Sequence, residues 1–235
     1  ISSLEKSGGL NMCGRYSLFA DFREIEERFG EATFEEDEYE ESYNIAPSQM
    51  VLSVINDGVK NRLGYLKWGL VPSWAKDSKV GFKMINARAE TVHEKPSFRA
   101  AFKKKRCLIV ADSFYEWKRT ENRKVPMRIK MKNNELFAMA GLWESWKSPS
   151  GELVHTCTIL TTEPNDLMST IHDRMPVILK QKDEQTWLNP EVMTIDELKP
   201  FMIPLENGLL EAYEVSDKVN SPKNNASDLI VKVGE

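Results

Sequence analysis

Met12 and Cys13 begin the stretch MCGRYS, and a cysteine directly behind an initiator methionine can do chemistry that no internal cysteine can. Removal of the methionine leaves Cys13 with an α-amine and a thiol on adjacent carbons. Their reference pKa values, about 7.7–8.0 and about 8.5, keep a useful fraction of each in its reactive form near neutrality. Presented with an aldehyde, the amine condenses to an imine and the thiol closes onto it as a thiazolidine ring. The plainer reading of the same residues is a start followed by a small buried hydrophobe. Residues 1–11, ISSLEKSGGLN, are polar and Gly/Ser-bearing, without the apolar core of a signal peptide. They are expected to be an artificial leader, with 12–235 forming one domain. While such a leader stays attached, the α-amine is tied up as an amide and the ring cannot close.

Four further polar stretches stand out from apolar surroundings. MINARAET places Asn86, Arg88 and Glu90 after a short apolar run; SFYEWK sets Glu116 between aromatics in a strand. TIHDRMPVIL puts His172, Asp173 and Arg174 at a helix end, and LKWGLVPSWAK gives Trp68, Pro72 and Trp74 in a loop after a hairpin strand. Each alone has a bland reading: a turn asparagine, a solvent-facing glutamate, a helix-ending histidine, core tryptophans. His93, His155 and His172 are far apart, and no cysteine lies near them at metal-ligand spacing. There is no phosphate-cradling glycine motif and no Gly-x-Ser-x-Gly elbow, so neither metal nor cofactor is expected. Cys107 and Cys157 lie in strand-like apolar runs and read as core.

Taken together, the stretches resemble the SOS-response-associated peptidase (SRAP) family, whose members process abasic sites in DNA. The matching motifs are MCGRYS at 12–17, YNIAPSQ at 43–49, WGLVPSW at 68–74, NARAET at 86–91, SFYEWK at 113–118 and IHDRMPVIL at 171–179, in the family's order. The resemblance implies that the N-terminal cysteine couples covalently to an abasic site in single-stranded DNA, and that Asn86, Glu116 and His172 complete the site. Three irregularly spaced cysteines point to a reducing compartment, so a cytoplasmic, DNA-associated protein is expected. A ring-opened abasic sugar is an aldehyde, the electrophile that an amine and thiol on adjacent carbons call for. No membrane partner is expected, protein partners stay open, and a monomer is expected.

Physical roles follow from residue type. A carboxyl group beside Phe114, Tyr115 and Trp117 is expected to have a raised pKa and to exchange protons near neutrality. His172 titrates in the right range to donate to the sugar hydroxyl or the 3′ phosphate. Asn86, uncharged, with both a donor and an acceptor, suits positioning of the amine or the lesion. Arg15 and Arg88 are expected on phosphates, and Trp68, Pro72 and Trp74 as a platform or wedge for bases. Closure of the thiazolidine removes the imine that invites strand cleavage, so a protective crosslink is expected more than a nicking activity. Two other readings remain: a thiol autopeptidase that releases the residues before Cys13, and a non-catalytic single-strand DNA-binding module.

These residues need a scaffold, and 235 residues with 41% hydrophobic and 29% charged content suffice for one globular domain. Three irregularly spaced cysteines argue against a disulfide framework. Residues 24–41 hold ten acids against one base, a local charge of −9 that leaves +5 for the remainder of a chain whose net charge is −4. Such asymmetry permits a polyanionic partner on one face. DFREIEERFG reads as a short helix capped by Asp21 and stopped at Gly30. Asp57-Gly58 marks one hairpin, Asn133-Asn134 a second, and PSFRAAFKKK, PNDLMSTIH, DEQTWL and TIDELKPFM read as short helices. The expected class is α+β, a largely antiparallel, curled or barrel-like sheet with short helices around it.

Overall fold

The computed structural model describes residues 13–192 and 194–234, so the expectations for residues 1–12 lie outside the described residues. Its strands are β1 (Tyr16–Leu18), β2 (Ser42–Ile45), β3 (Met50–Asn56), β4 (Asn61–Trp68), β5 (Asn86–Arg88), β6 (Arg106–Ala111), β7 (Ser113–Arg119), β8 (Lys124–Met131), β9 (Phe137–Lys147), β10 (Leu153–Thr162), β11 (Met175–Pro176), β12 (Ile178–Leu179) and β13 (Leu210–Glu214). Short helices surround them: α1 (Phe22–Phe29), α2 (Arg99–Lys104), α3 (Asp166–Ser169), α4 (Gln181–Leu188) and α5 (Ile195–Leu198).

Five strands close on themselves in the order β3-β4-β10-β9-β6 and back to β3. Closure leaves no free edge among them and encloses a dry core. Their runs are accordingly apolar; every residue of β6 (RCLIVA) is buried. Space inside is tight: a Cβ on Gly141 would lie 2.3 Å from Ile109 Cδ1 and 2.9 Å from Cys107 Sγ, so only glycine fits there. The β4–β10 pair runs parallel, and β5 also joins β10 in parallel, so the fold is α+β and mostly antiparallel around a closed barrel, as expected.

A second sheet, β13-β8-β7-β1-β2, flanks the barrel. The chain steps between the two at Asp112, where β6 ends and β7 begins. That carboxylate pins β1: Oδ1 accepts from Ser17 Oγ at 2.5 Å and Oδ2 from the Phe19 N–H at 2.6 Å. Arg128 backs it, donating from Nε to Ser113 Oγ at 2.8 Å. Buried polar groups are tolerated when satisfied in this way.

The helix over 21–30 forms as expected. Asp21 accepts from the Arg23 N–H at 2.9 Å, Ile25 and Phe29 are buried, and Gly30 ends the helix at φ 105°. The Asp57-Gly58 hairpin joins β3 to β4. The second expected hairpin does not form. Asn133-Asn134 does turn the chain, with Asn134 at φ 61°, but β8 stays in the flanking sheet between β7 and β13 while β9 enters the barrel. The turn is local, but the choice of partner is tertiary, because β13, far along the chain, takes the free edge of β8. Among the described residues no helix is long and apolar enough to cross a membrane.

Candidate active site

Strand register brings the first site residues together. β1 and β7 are antiparallel with Tyr16 opposite Phe114 and Ser17 opposite Ser113, and the Tyr115 N–H donates to the Arg15 carbonyl at 2.9 Å. Following that ladder toward the chain start carries Cys13 alongside Glu116. The Cys13 backbone N–H donates to Glu116 Oε1 at 2.6 Å, with both residues almost wholly buried. Cys13 has φ 35°, left-handed backbone that costs a non-glycine residue about 1–3 kcal/mol.

The electrostatics follow from burial. Loss of water pushes the Glu116 carboxyl above the usual carboxylate range, opposed by His172 and by hydrogen bonds from Cys13 and the Trp117 backbone. Burial also pushes the Cys13 thiol well up, reinforced by the Glu116 charge and by a thiol hydrogen bond to it, with Arg174 acting the other way. The thiol is thus held protonated against a carboxylate that can accept its proton.

His172 follows α3, and its Nε2 lies 4.0 Å from Glu116 Oε2. Its Nδ1 accepts the Arg174 backbone N–H at 3.1 Å, which assigns the ring proton of the neutral form to Nε2, facing Glu116. Asp173 Oδ1 stands 3.1 Å from the same Nδ1, a partner for the charged ring. The Arg174 guanidinium grips Glu90 through both oxygens, at 2.7 and 2.8 Å, and donates to the Thr161 carbonyl at 2.7 Å. One clamp therefore ties the segment after α3 to the end of β10 and to the turn after β5. Asn86 sits on β5 opposite Ile159, and its amide reaches the Ile159 carbonyl at 3.5 Å, the outer limit of a hydrogen bond.

The residues expected on DNA divide sharply. Trp74 is 65% exposed and Arg88 is exposed with no ion-pair partner among the described residues. Trp68 is a correction: it is 1% exposed, packs on Tyr16 with ring centroids 5.5 Å apart, and donates its indole N–H to the Ile85 carbonyl at 2.9 Å, so it has no face to offer a base. Pro72 is buried as well. Arg15 is also spent internally, donating from Nη1 to Asn44 Oδ1 at 2.9 Å and to the Val219 carbonyl at 2.6 Å, which does not fit the phosphate contact expected of it. Sequence reading passed over Glu90 and Arg174 as site residues although both stand in the motifs; their opposite charges, two residues beyond Arg88 and His172 respectively, were the available signal.

A family model described as SOS response associated peptidase (SRAP) matches residues 12–222. The chain is 58% identical over 221 residues to the abasic site processing protein YoqW of Bacillus subtilis (strain 168), covering 93% of this chain and 99% of that one. It is 34% identical to the abasic site processing protein HMCES of Xenopus tropicalis, over 84% of this chain and 68% of the relative. The crystal structure of a protein from Bacteroides thetaiotaomicron shares the fold with a TM-score of 0.86 at 28% identity, covering 94% of this chain and 99% of that chain.

Proposed function

The chain belongs to the SOS response associated peptidase family, and from that premise we propose that it processes abasic sites in single-stranded DNA by capturing the ring-opened sugar on Cys13 as a thiazolidine. The observation that carries this reading is the position of Glu116, whose Oε1 is 2.6 Å from the Cys13 nitrogen while the thiol lies against the same carboxylate. One proton acceptor serves both nucleophiles.

The steps balance as a condensation. With residues before Cys13 removed, the α-amine adds to the aldehyde carbon, and Glu116 takes the proton that the nitrogen sheds. Loss of the carbinol hydroxyl as water, with a proton supplied by Glu116 or by His172 from Nε2, leaves an imine. The thiol then adds across the carbon–nitrogen double bond: sulfur bonds to carbon, and the thiol proton passes by way of Glu116 to the nitrogen, which ends as a secondary amine. A thiol held protonated makes the amine the first nucleophile and the sulfur the second. Because the imine acidifies the neighbouring carbon and invites β-elimination, fast ring closure protects the strand. Asn86, loosely held on β5, orients the lesion.

A second reading concerns how the amine is freed. The left-handed backbone at Cys13 and the grip of Glu116 on its nitrogen favour self-cleavage, in which the thiol attacks the preceding carbonyl, the nitrogen departs with a proton from Glu116, and water then hydrolyses the thioester to release the preceding residues and free the thiol.

Two forms of the protein, one starting at Cys13 and one retaining residues 1–12, incubated with single-stranded DNA bearing one abasic site, test the proposal on a denaturing gel. A heat-stable adduct is expected only on chains whose intact mass begins at Cys13. Adducts formed equally on chains that still carry residues 1–12 would remove the α-amine from the mechanism, and none from either would leave a binding module or a peptidase.

A further inference from the structure

Immediately beyond Arg88 the chain winds away from the site in a succession of turns. The Thr91 N–H bonds to the Arg88 carbonyl at 3.1 Å, Lys95 to Thr91 at 3.1 Å and Arg99 to Lys95 at 2.9 Å, and α2 continues the winding through Lys103. Phe98, Ala101 and Phe102 pack this segment onto the core. Lys95, Arg99 and Lys103, spaced four apart, fall on the opposite, solvent side, and all three are exposed. Spacing of i, i+4 sets successive cations about 6 Å apart along the axis, a step comparable with that between neighbouring phosphates of an extended single strand.

None of the three has an ion-pair partner among the described residues. Of the segment's two acids, Glu90 is paired with Arg174, and Glu94 has its nearest cationic partner in His93 Nε2 at 3.5 Å, an ion pair only when that ring is protonated; Lys105 is paired with Glu144. Like charges at i, i+4 weaken a helix, so the pair Arg99 and Lys103 on α2, with Lys95 in the turn before it, is an expense that a polyanion offsets.

We propose that Lys95, Arg99 and Lys103 form a phosphate track that holds the single strand on one side of the lesion, continuing from Arg88. This rests on the proposed abasic-site reading, but its test does not depend on the crosslink. Affinity for undamaged single-stranded DNA is measured against salt for the unmodified chain, for the triple variant K95Q/R99Q/K103Q, and for a control losing three exposed cations elsewhere, R23Q/K124Q/K182Q.

Each lost contact removes about 0.7 from the slope of log affinity against log salt. The triple variant is expected to lose about 2 in that slope, and at least about tenfold in low-salt affinity, while the control keeps both. In addition, oligonucleotides extended from a short abasic core toward the 5′ end or the 3′ end should bind the unmodified chain more tightly on one side only, and the triple variant should lose that gain. Crosslinking of the short core should proceed at the unmodified rate in the triple variant. An unchanged slope, or equal losses in the control, would overturn the track even if the core still crosslinks. Loss of crosslinking in every form with the slope effect intact would instead overturn the crosslink reading and leave the track standing.

Discussion

Three buried cysteines stand in two different regions, and only one of them has anything to react through. Cys107 and Cys157 point into the barrel, where burial pushes both thiols up and the neighbours are Ile109, the bare Gly141 backbone and other apolar groups. Cys13 lies at the seam between barrel and flanking sheet, equally shielded from water and with its thiol likewise pushed up, but its neighbours are Glu116, His172 and Arg174. Burial alone makes a thiol inert. What separates the seam from the barrel is a carboxylate within reach of both the sulfur and the backbone nitrogen.

The strongest way to break this contrast is to exchange the cysteines' roles. Cys13→Ala is expected to abolish the heat-stable adduct, while Cys107→Ala and Cys157→Ala, made singly, keep it in full; a denaturing gel reads all three. Survival of the adduct in the Cys13 variant would place the nucleophile elsewhere.

Glu116→Gln sharpens the contrast by leaving the shape of the seam and removing its proton acceptor. Adduct formation should slow by about 10²–10⁴-fold, followed as single-turnover rates. The same variant should be more stable at neutral pH. Burial raises the folded-state pKa of Glu116 above the unfolded value of about 4.3, so ionising it costs the native chain stability that the Gln variant does not lose. That cost disappears as pH falls through the folded pKa. Melting curves should therefore place the Gln variant a few degrees above the unmodified chain at pH 7, with the gap closing toward about pH 4. A gap that widens on acidification would mean that the carboxylate is stabilising.

Smallest are the barrel effects. Cys107→Ala or Cys157→Ala should each cost about 1–2 kcal/mol of stability, a few degrees in Tm, through lost packing beside Gly141 or in the strand pair. Any accompanying drop in adduct rate would show that barrel and seam are coupled.

Much of this contrast was legible in the residues. Strand-like runs around Cys107 and Cys157 marked them as core, and Glu116 among aromatics signalled a shielded carboxyl. Glu116 lies within β7 and His172 just after α3, both in segments whose apolar pattern or turn chemistry was readable, whereas β5, which carries Asn86, was not. What escaped was set by contacts distant in sequence. Trp68 became core because Tyr16 and the Ile85 carbonyl come to it, and Arg15 was claimed by Val219, more than two hundred residues away. The Glu90–Arg174 clamp and the parting of β8 from β9 are of the same kind. Local patterns predict what a segment can form, and partner choice is decided by the whole core.

The most direct measurement is the intact mass of the adduct between the free-Cys13 form and abasic single-stranded DNA, taken with and without borohydride and followed by mapping of the linked peptide. A thiazolidine predicts the sum of the two partners less one water, attachment at Cys13, and no change on reduction. A gain of two hydrogens, or attachment at any other residue, would contradict ring closure on Cys13 and point to an open imine or to a different nucleophile.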